Sequence, residues 1–259
     1  SLLNKQSGIG QLRYLKTEHK EFPVGEVKLS NEEMCQILNI SFDVPSTRTS
    51  LMGMLALKEA LNQANLNSND VSSVGFISGT TVGGMDKSEQ YYLDFLSNDK
   101  YNKYISTHDC GACSEMIADY FGDFAFVTTI STACSSAANA IILGANIIKN
   151  KQAEIVVVGG SECITKFHLN GFNSLMILDT KPCRPFDSLR KGLNLGEGAG
   201  YIVLESEESA KKREVKPIGV LSGYGNNCDA FHQTASSPNG EGAFLAMKEA
   251  LQEANLNPK

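Results

Sequence analysis

The sequence has 259 residues, of which 42% are hydrophobic and 23 are glycine, and its formal net charge is −6 at pH 7. This length and apolar content are sufficient for one large domain or two smaller ones, and they exclude a disordered, collagen-like or coiled-coil chain. Basic and acidic residues are interspersed, so no basic surface is expected and nucleic acid is not predicted as a partner.

The cysteines and the apolar runs indicate where the chain resides. Seven cysteines are scattered along the sequence. Residues 1–5 lack the charged segment followed by an apolar one that a secretory signal has. The longest apolar runs, such as residues 155–158, are much shorter than the roughly 20 residues of a membrane-spanning helix. We therefore predict a reduced, cytoplasmic setting and no membrane partner.

Helices and strands are predicted in alternation along the chain. Helical patterns lie at 54–67, 114–120, 135–149, 207–213 and 244–257. Short apolar or β-branched runs bounded by turn residues indicate buried strands, at 71–79, 124–130, 154–158, 201–204 and 217–221. This order predicts an α/β fold with a mostly parallel sheet that is covered by helices.

Two of these helices repeat each other. Residues 54–67 align without gaps on residues 244–257, and ten of the fourteen positions are identical. The shared ending Ala-Asn-Leu-Asn lies outside the apolar stripe, which favours an internal duplication over two unrelated amphipathic helices. The first copy continues into the strand at 71–79, whereas the second stops at the last residue. Because the second copy is interrupted, we expect the sequence to be part of a longer chain. The sequence also does not begin with Met.

Residues 130–148 contain the most informative cysteine. A buried strand turns through small polar residues into an apolar helix that is predicted to begin at about Cys134 or Ser135. The unpaired N–H groups and the positive dipole end of a helix N-terminus favour a thiolate and can bind a developing oxyanion. Cys134 is therefore a candidate nucleophile. From position alone, a small packed cysteine is an equally good interpretation.

Three other kinds of site are disfavoured. A nucleophile-elbow hydrolase needs Gly two residues before and two after the nucleophile, where this chain has Thr132 and Ser136. The glycine-rich stretch 192–200 precedes a strand rather than a helix, unlike a phosphate-binding loop. Cys110 and Cys113 form a lone C-x-x-C without a second ligand pair, so no metal site is predicted.

A loop near the C-terminus contains a histidine with an acidic neighbour. Asp229 stands three residues before His232, a spacing at which a carboxylate can orient an imidazole. A solvated loop histidine explains the same pattern equally well.

Three motifs, taken in order, resemble one family. They are Ser-Thr-Ala-Cys-Ser-Ser at 131–136, Cys-Arg-Pro-Phe-Asp at 183–187 with Gly-Glu-Gly-Ala-Gly at 196–200, and Asp-Ala-Phe-His-x-Thr at 229–234. Together they closely resemble the β-ketoacyl-acyl-carrier-protein synthases, the elongating condensing enzymes of type II fatty-acid and polyketide synthesis. The resemblance runs essentially from one end of the chain to the other.

This resemblance implies a fold and its division. The family has the duplicated, thiolase-like fold of α-β-α-β-α layers, in agreement with the internal repeat. On this basis residues 1–205 are the N-terminal half without its first strand, and residues 206–259 are the beginning of a truncated C-terminal half.

The resemblance also implies roles for individual residues. Cys134 matches the nucleophile that accepts an acyl group from the pantetheine thioester of an acyl carrier protein. That acyl group is then joined to malonyl-carrier protein by decarboxylative Claisen condensation. No metal or bound cofactor is implied, because the phosphopantetheine belongs to the carrier protein. Asp229, His232 and Thr234 match the family's loop that gates the entrance to the active site. Gly79 and Thr80 match its region near the acyl tunnel or the dimer interface. A strand-to-helix turn explains residues 79–84 equally well.

The resemblance also implies partners, and some of the family's motifs have no match in this sequence. An acyl carrier protein, acyl and malonyl thioesters, and a homodimer or a heterodimer with a paralogue are implied. The family's two catalytic histidines, a neighbouring lysine and a Gly-Phe-Gly loop have no match, so we expect these 259 residues alone to be inactive in condensation. The alternative is a non-catalytic partner or scaffold subunit of a heterodimeric ketosynthase, a class whose nucleophile position is not cysteine.

Overall fold

The computed structural model describes residue 4 and residues 6–66, 68–232 and 235–258. Its central sheet has the strand order β4, β3, β5, β6. These strands are β3 (Val74–Gly79), β4 (Phe126–Ile130), β5 (Ile155–Glu162) and β6 (Gly198–Glu205). β3 is parallel to β4 and β5, whereas β6 is antiparallel to β5. A separate antiparallel pair joins β1 (Ile9–Gly10) to β2 (Val24–Gly25). The sheet is mostly parallel, as predicted, with one antiparallel strand.

The helices of the described residues alternate with these strands. They are α1 (Asn31–Leu38), α2 (Arg48–Gln63), α3 (Met85–Phe95), α4 (Cys110–Asp119), α5 (Ser136–Lys149), α6 (Lys166–Ser174), α7 (Glu207–Lys212) and α8 (Glu241–Glu253). The five predicted helices correspond to α2, α4, α5, α7 and α8, with boundaries that shift by up to six residues.

Helices cover both faces of the sheet, which explains its uninterrupted apolar strands. α2 and α4 pack on one face, where Phe76 and Val157 belong to the larger hydrophobic core. α5 packs on the other face, where Ile77 and Val156 form a second core with Ala140. Successive residues of a strand point to opposite faces, so a strand buried on both sides shows no polar alternation.

The two repeated helices end with the same geometry. Asn65 and Asn255 both adopt the left-handed conformation, with φ of 53°. In each copy the amide of the following leucine donates to the carbonyl five residues earlier, at 2.9 Å. This is a Schellman-type C-cap, in which asparagine tolerates the positive φ. The shared Ala-Asn-Leu is therefore a helix stop signal in both copies, which gives a local physical reason for that part of the identity.

The prediction of a buried strand at 217–221 was wrong. Ile218 is 94% exposed and Val220 is 83% exposed, and in the described part of the chain this segment belongs to no sheet. Its β-branched residues favour an extended backbone, but a strand also requires a neighbour to receive its hydrogen bonds. The predicted strand at 71–79 begins only at Val74, because residues 68–73 form a 3₁₀ helix.

Candidate active site

Cys134 lies in the turn between β4 and α5. β4 ends at Ile130, Ser135 is the N-cap residue, and the first helical residue is Ser136. Cys134 is thus the residue immediately before the cap, and it is exposed. We call residues 131–135 the Cys134 turn. The prediction of a cysteine between a strand and a helix N-terminus is correct, although the helix starts one to two residues later than expected. The strand, predicted to be buried, is only partly so, because β4 is an edge strand of the described sheet.

The backbone of this turn is strained just before the cysteine. Ala133 has a φ of +52°, a left-handed conformation that costs a non-glycine residue about 1–2 kcal/mol. Its carbonyl accepts hydrogen bonds from the amide and the hydroxyl of Ser136, at 3.1 and 2.7 Å. The Ser136 hydroxyl in turn accepts from the Thr132 amide at 2.9 Å. Such a conformation persists only where surrounding contacts hold it, and Ser136 supplies three of them.

The side chain of the N-cap residue does not occupy the N-terminus of α5, which leaves that end of the helix open to an anion. The N-cap Ser135 makes no side-chain bond to the first turn of the helix. Its hydroxyl donates instead to the carbonyl of Thr132, at 2.7 Å. The backbone N–H groups of the first turn are therefore not capped by the residue that usually caps them. A negative charge that develops at Cys134 meets the positive end of this helix.

Two glycines allow α5 to reach the sheet. A Cβ built on Gly79 would lie 2.6 Å from the backbone nitrogen of Ala137, and one on Gly160 would lie 2.6 Å from the carbonyl oxygen of Gly79. Side chains at these positions would force β3, β5 and the first turn of α5 apart. Gly79, predicted at a tunnel or interface, thus lies directly beneath the helix turn that follows Cys134.

A carboxylate that the sequence analysis missed lies next to this turn. Glu162, the last residue of β5, accepts hydrogen bonds from the Thr81 amide and from the Thr80 hydroxyl, the latter at 3.2 Å. Burial raises the pKa of Glu162, and the Thr81 amide opposes that rise. The Thr81 hydroxyl donates to the carbonyl of Ala133 at 3.4 Å. The only sequence signal was an acidic residue at the end of a Gly-rich apolar strand.

Thr80 is itself buried, with 3% of its surface exposed. Its hydroxyl also accepts from the Gly83 amide at 3.3 Å. The buried Thr80 hydroxyl therefore stabilises the conformation of the loop after β3. Its predicted role at a tunnel or dimer interface stays a prediction.

The other side of the Cys134 turn is tied to the predicted gate segment through asparagines. Asn139 donates from Nδ2 to the Thr132 hydroxyl at 2.8 Å, and Asn226 donates to Asn139 Oδ1 at 2.7 Å. Asn226 stands three residues before Asp229, so the start of this segment reaches the turn that carries Cys134.

Asp229 binds one backbone amide in the loop before α8 and one in the first turn of α8. Its carboxylate accepts from the Ser237 amide at 2.5 Å and from the Gly242 amide at 3.0 Å. These bonds lower the pKa of Asp229 and anchor α8 to the segment before it. His232 accepts at Nδ1 from the Ala235 amide, 3.3 Å away. Thr234 lies outside the described residues. The predicted gating role of all three stays a prediction.

The histidines are tied to other parts of the chain. Burial lowers the pKa of His168, whereas hydrogen bonds to Glu21 and Asn170 raise the pKa of His19. The hydrogen-bond partners are Glu21 and Asn170 for His19, Ser88 for His108, Thr165 for His168 and Ala235 for His232. We therefore assign His19, His108 and His168 no part in the chemistry of Cys134.

The remaining thiols contrast with Cys134. Cys35, Cys113 and Cys163 are buried, and all seven cysteines are free. Burial raises the pKa of Cys113 to about 12 and that of Cys163 well above its usual value. Within the described ranges, no three His, Cys, Asp or Glu residues are grouped so as to hold a metal ion. Cys134 and Cys228 are the exposed thiols.

A cavity of about 600 Å³ lies elsewhere, between residues 11–22 and the start of α6. None of the predicted site residues lines it. The Cys134 turn is therefore not part of this cavity. None of the helices built from the described residues combines the length and the apolar character needed to cross a membrane.

Family models and curated relatives match most of this chain. Residues 43–210 match the family model of the beta-ketoacyl synthase N-terminal domain, and residues 218–259 match that of the C-terminal domain. The chain is 32% identical over 226 residues to a 3-oxoacyl-[acyl-carrier-protein] synthase 2 of Staphylococcus aureus, covering 82% of this chain and 55% of that protein. It is also 32% identical over 220 residues to a putative mitochondrial 3-oxoacyl-[acyl-carrier-protein] synthase of Schizosaccharomyces pombe, covering 80% of this chain and 52% of that protein. The chain thus spans about half the length of these curated relatives.

Solved structures share the fold. The ishigamide ketosynthase/chain length factor superposes with a TM-score of 0.86 at 26% identity, covering 97% of this chain and 64% of that one. A ketosynthase in complex with its chain length factor from Xenorhabdus doucetiae gives a TM-score of 0.78 at 26% identity, covering 99% and 63% of the two chains. The predicted thiolase-like α/β fold is confirmed. The chain belongs to the beta-ketoacyl synthase family.

Proposed function

We propose that Cys134 is the nucleophile of an acyltransferase and takes an acyl group from the thioester of an acyl carrier protein. The observation that carries this proposal is the position of an exposed thiol immediately before the uncapped N-terminus of α5. Family membership supports it, since the curated relatives are 3-oxoacyl-[acyl-carrier-protein] synthases.

The chemistry follows from this placement. The Cys134 thiol gives up its proton to water, and its sulfur attacks the carbonyl carbon of the acyl thioester, whose oxygen becomes an oxyanion. Backbone N–H groups at the start of α5 stabilise that charge. The new sulfur–carbon bond then remains while the old one breaks, and the pantetheine thiolate leaves and takes up a proton. The result is an acyl group held on Cys134.

For the whole protein we propose the family reaction. The acyl group on Cys134 is joined to malonyl-carrier protein by decarboxylative Claisen condensation, in fatty-acid or polyketide synthesis. The histidines that the resemblance assigns to decarboxylation have no match here, so the proposal for these 259 residues is limited to acyl transfer. No resident cofactor is part of it, because the pantetheine arm arrives with the substrate.

The partners are proposed on the same basis. An acyl carrier protein delivers the substrate, the reaction takes place in the cytoplasm, and a second copy or a paralogue pairs with this chain. Within the described sheet, β4 pairs with β3 alone, and the other edge of β4 is an available surface for a partner. Sedimentation of the chain at micromolar concentration measures this self-association, and a monomer under those conditions contradicts the homodimer.

A non-catalytic partner subunit is the second candidate. Two structural neighbours are complexes of a ketosynthase with a chain length factor. The exposed cysteine at the nucleophile position favours the catalytic subunit over the partner. The division at residues 205 and 206 also remains a proposal; it lies inside the first family match at 43–210, five residues before its end, and the second match begins at 218.

Release of pantetheine thiol tests the proposed transfer. The purified chain is mixed with an acyl-pantetheine thioester, and the thiol released per chain is measured in a single turnover. We expect one equivalent from wild type and from Cys228→Ala, which removes the other exposed thiol, and none from Cys134→Ala. Equal release by Cys134→Ala and wild type contradicts the proposal.

A further inference from the structure

Glu162 is a carboxylate beside the Cys134 turn with no cationic partner. In the described part of the chain, no Lys, Arg or His lies within ion-pair distance of it. The side chain is half-buried, and its oxygens accept from the Thr81 amide and the Thr80 hydroxyl. A half-buried carboxylate that forms hydrogen bonds only to a loop is costly to retain for stability alone.

Thr81 connects this carboxylate to the two residues that flank Thr132, just before Cys134. Its amide donates to Glu162, and its hydroxyl donates to the carbonyl of Ala133 at 3.4 Å. Its own carbonyl accepts from the Ser131 hydroxyl at 3.4 Å and from the Cys110 thiol at 3.6 Å. Thr81 therefore contacts Ser131 and Ala133, which lie three residues and one residue before Cys134.

The contact with Ala133 matters because that residue is strained. Its left-handed backbone places Cys134 in front of the N-terminus of α5. Loss of a contact that holds a strained turn lets the backbone relax toward a commoner conformation. The sulfur would then move relative to the helix N–H groups, whose effect falls off within the first turn.

We propose that Glu162 is a positioning residue that acts through Thr81 to hold Cys134 at the N-terminus of α5. The inference rests on the proposed function of Cys134 as the nucleophile. Glu162 is not assigned a contact with the substrate. Its carboxylate orients Thr81, and Thr81 fixes the carbonyl of the strained residue before the sulfur.

The test compares two exposed thiols in one molecule. Alkylation of Cys134 and of Cys228 by iodoacetamide is followed by peptide mass spectrometry in the same sample, at one pH. Cys228 reports general changes in exposure, and urea unfolding of each variant reports stability. A purely structural role for Glu162 would change stability without changing the ratio of the two alkylation rates.

Three variants separate the steps of the proposal. Glu162→Leu removes the carboxylate that accepts from the Thr81 amide. We expect the alkylation rate of Cys134 to fall about fivefold, which is the upper end of the usual effect of a helix N-terminus on an exposed charge. The alkylation rate of Cys228 should be unchanged. Glu162→Gln keeps a carbonyl that can accept from the Thr81 amide, so the rate returns to within about twofold of wild type. Thr81→Val keeps the amide and removes only the hydroxyl, and we expect it to slow Cys134 as Glu162→Leu does.

Each outcome decides a separate question. If wild type alkylates Cys134 no faster than Cys228, the proposed function fails, and this inference fails with it. If wild type prefers Cys134 but a folded Glu162→Leu keeps the same ratio, only the role of Glu162 is overturned. If Glu162→Leu does not fold, Thr81→Val decides, because its valine is isosteric with threonine. An unchanged ratio in Thr81→Val then contradicts the proposal.

Discussion

Gly79 and Ala137 lie so close together that no side chain fits between them. A Cβ at position 79 would come within 2.6 Å of the Ala137 backbone nitrogen. This contact joins the end of β3 to the first turn of α5, and so determines where the sheet places Cys134.

The first prediction concerns that contact. Gly79→Ala should destabilise the chain by about 1–3 kcal/mol, because the added methyl group meets backbone atoms that cannot move independently. It should also slow alkylation of Cys134 relative to Cys228, since the first turn of α5 must shift. Urea unfolding and peptide mass spectrometry measure the two effects.

Gly171→Ala is the matched control. Gly171 lies inside α6, and a Cβ there would meet nothing within 4 Å. Alanine at this helical position should stabilise the chain by about 0.5–1 kcal/mol and leave Cys134 unaffected. If Gly79→Ala is as well tolerated as Gly171→Ala, the close approach is not what positions the turn.

The second prediction concerns a buried ion pair. Arg48 and Glu197 are 2.6 Å apart, and their side chains are 10% and 1% exposed. Glu197 also accepts from the backbone amides of Val27 and Ile164, at 2.9 and 3.1 Å. Glu197→Ala should cost about 3–5 kcal/mol of unfolding free energy, because it leaves the Arg48 charge buried without its partner.

An exposed ion pair provides the comparison for Glu197. Lys211 and Glu207 form an i,i+4 pair on α7 whose side chains are 74% and 83% exposed. Water already solvates both groups, so Lys211→Ala should leave the urea midpoint almost unchanged. Equal shifts of the urea midpoint in Glu197→Ala and Lys211→Ala would contradict the prediction that the buried pair contributes more to stability than the exposed pair.

The third prediction concerns pH. Burial raises the pKa of Asp86, against the opposing effect of a hydrogen bond from the Arg48 amide, and its Oδ1 has no hydrogen-bond partner. A raised native pKa means that the folded chain binds this proton more tightly than the unfolded chain. Stability is therefore lost as pH rises from the unfolded value, about 3.9, through the raised native value.

Asp86→Asn removes this titration. In urea unfolding at a series of pH values, the variant should gain stability relative to wild type as pH rises through that window. Glu162, whose pKa burial also raises, is present in both proteins and cancels in the difference. The charge of Asp86 adds to the raised pKa of Glu89, and the loss of that repulsion in the variant acts in the same direction. Parallel curves for wild type and Asp86→Asn would contradict the assignment.

Local patterns predicted the parts of the fold that depend on nearby residues. The apolar runs of β3 and β5 and the amphipathic helices were recognised, since burial on both faces produces a continuous apolar strand. The segment 217–221 has the same composition but no strand neighbour in the described residues. The composition of a segment indicates its preference for an extended backbone. It does not indicate whether a neighbouring strand is available to pair with it.

The candidate site was predicted only in part, for a similar reason. Cys134 was found because a strand, a turn and a helix follow each other in sequence. Glu162 and Thr81 are 81 residues apart, and Arg48 and Glu197 are 149 apart. No periodicity connects such distant positions, so the groups that hold the turn and the buried pair could be found only in three dimensions. Asp229, predicted beside His232, proved to bind one amide in the loop before α8 and one in the first turn of α8.

The most direct test of the account is the distribution of an acyl group over the seven cysteines. The folded chain is treated with an acyl-pantetheine thioester, and acylation of each cysteine is quantified by peptide mass spectrometry. We predict a thioester on Cys134, far less on Cys228, which is also exposed, and none on the buried Cys35, Cys113 and Cys163. Acylation of Cys228 to the same extent as Cys134 would contradict the claim that the N-terminus of α5 makes Cys134 a nucleophile.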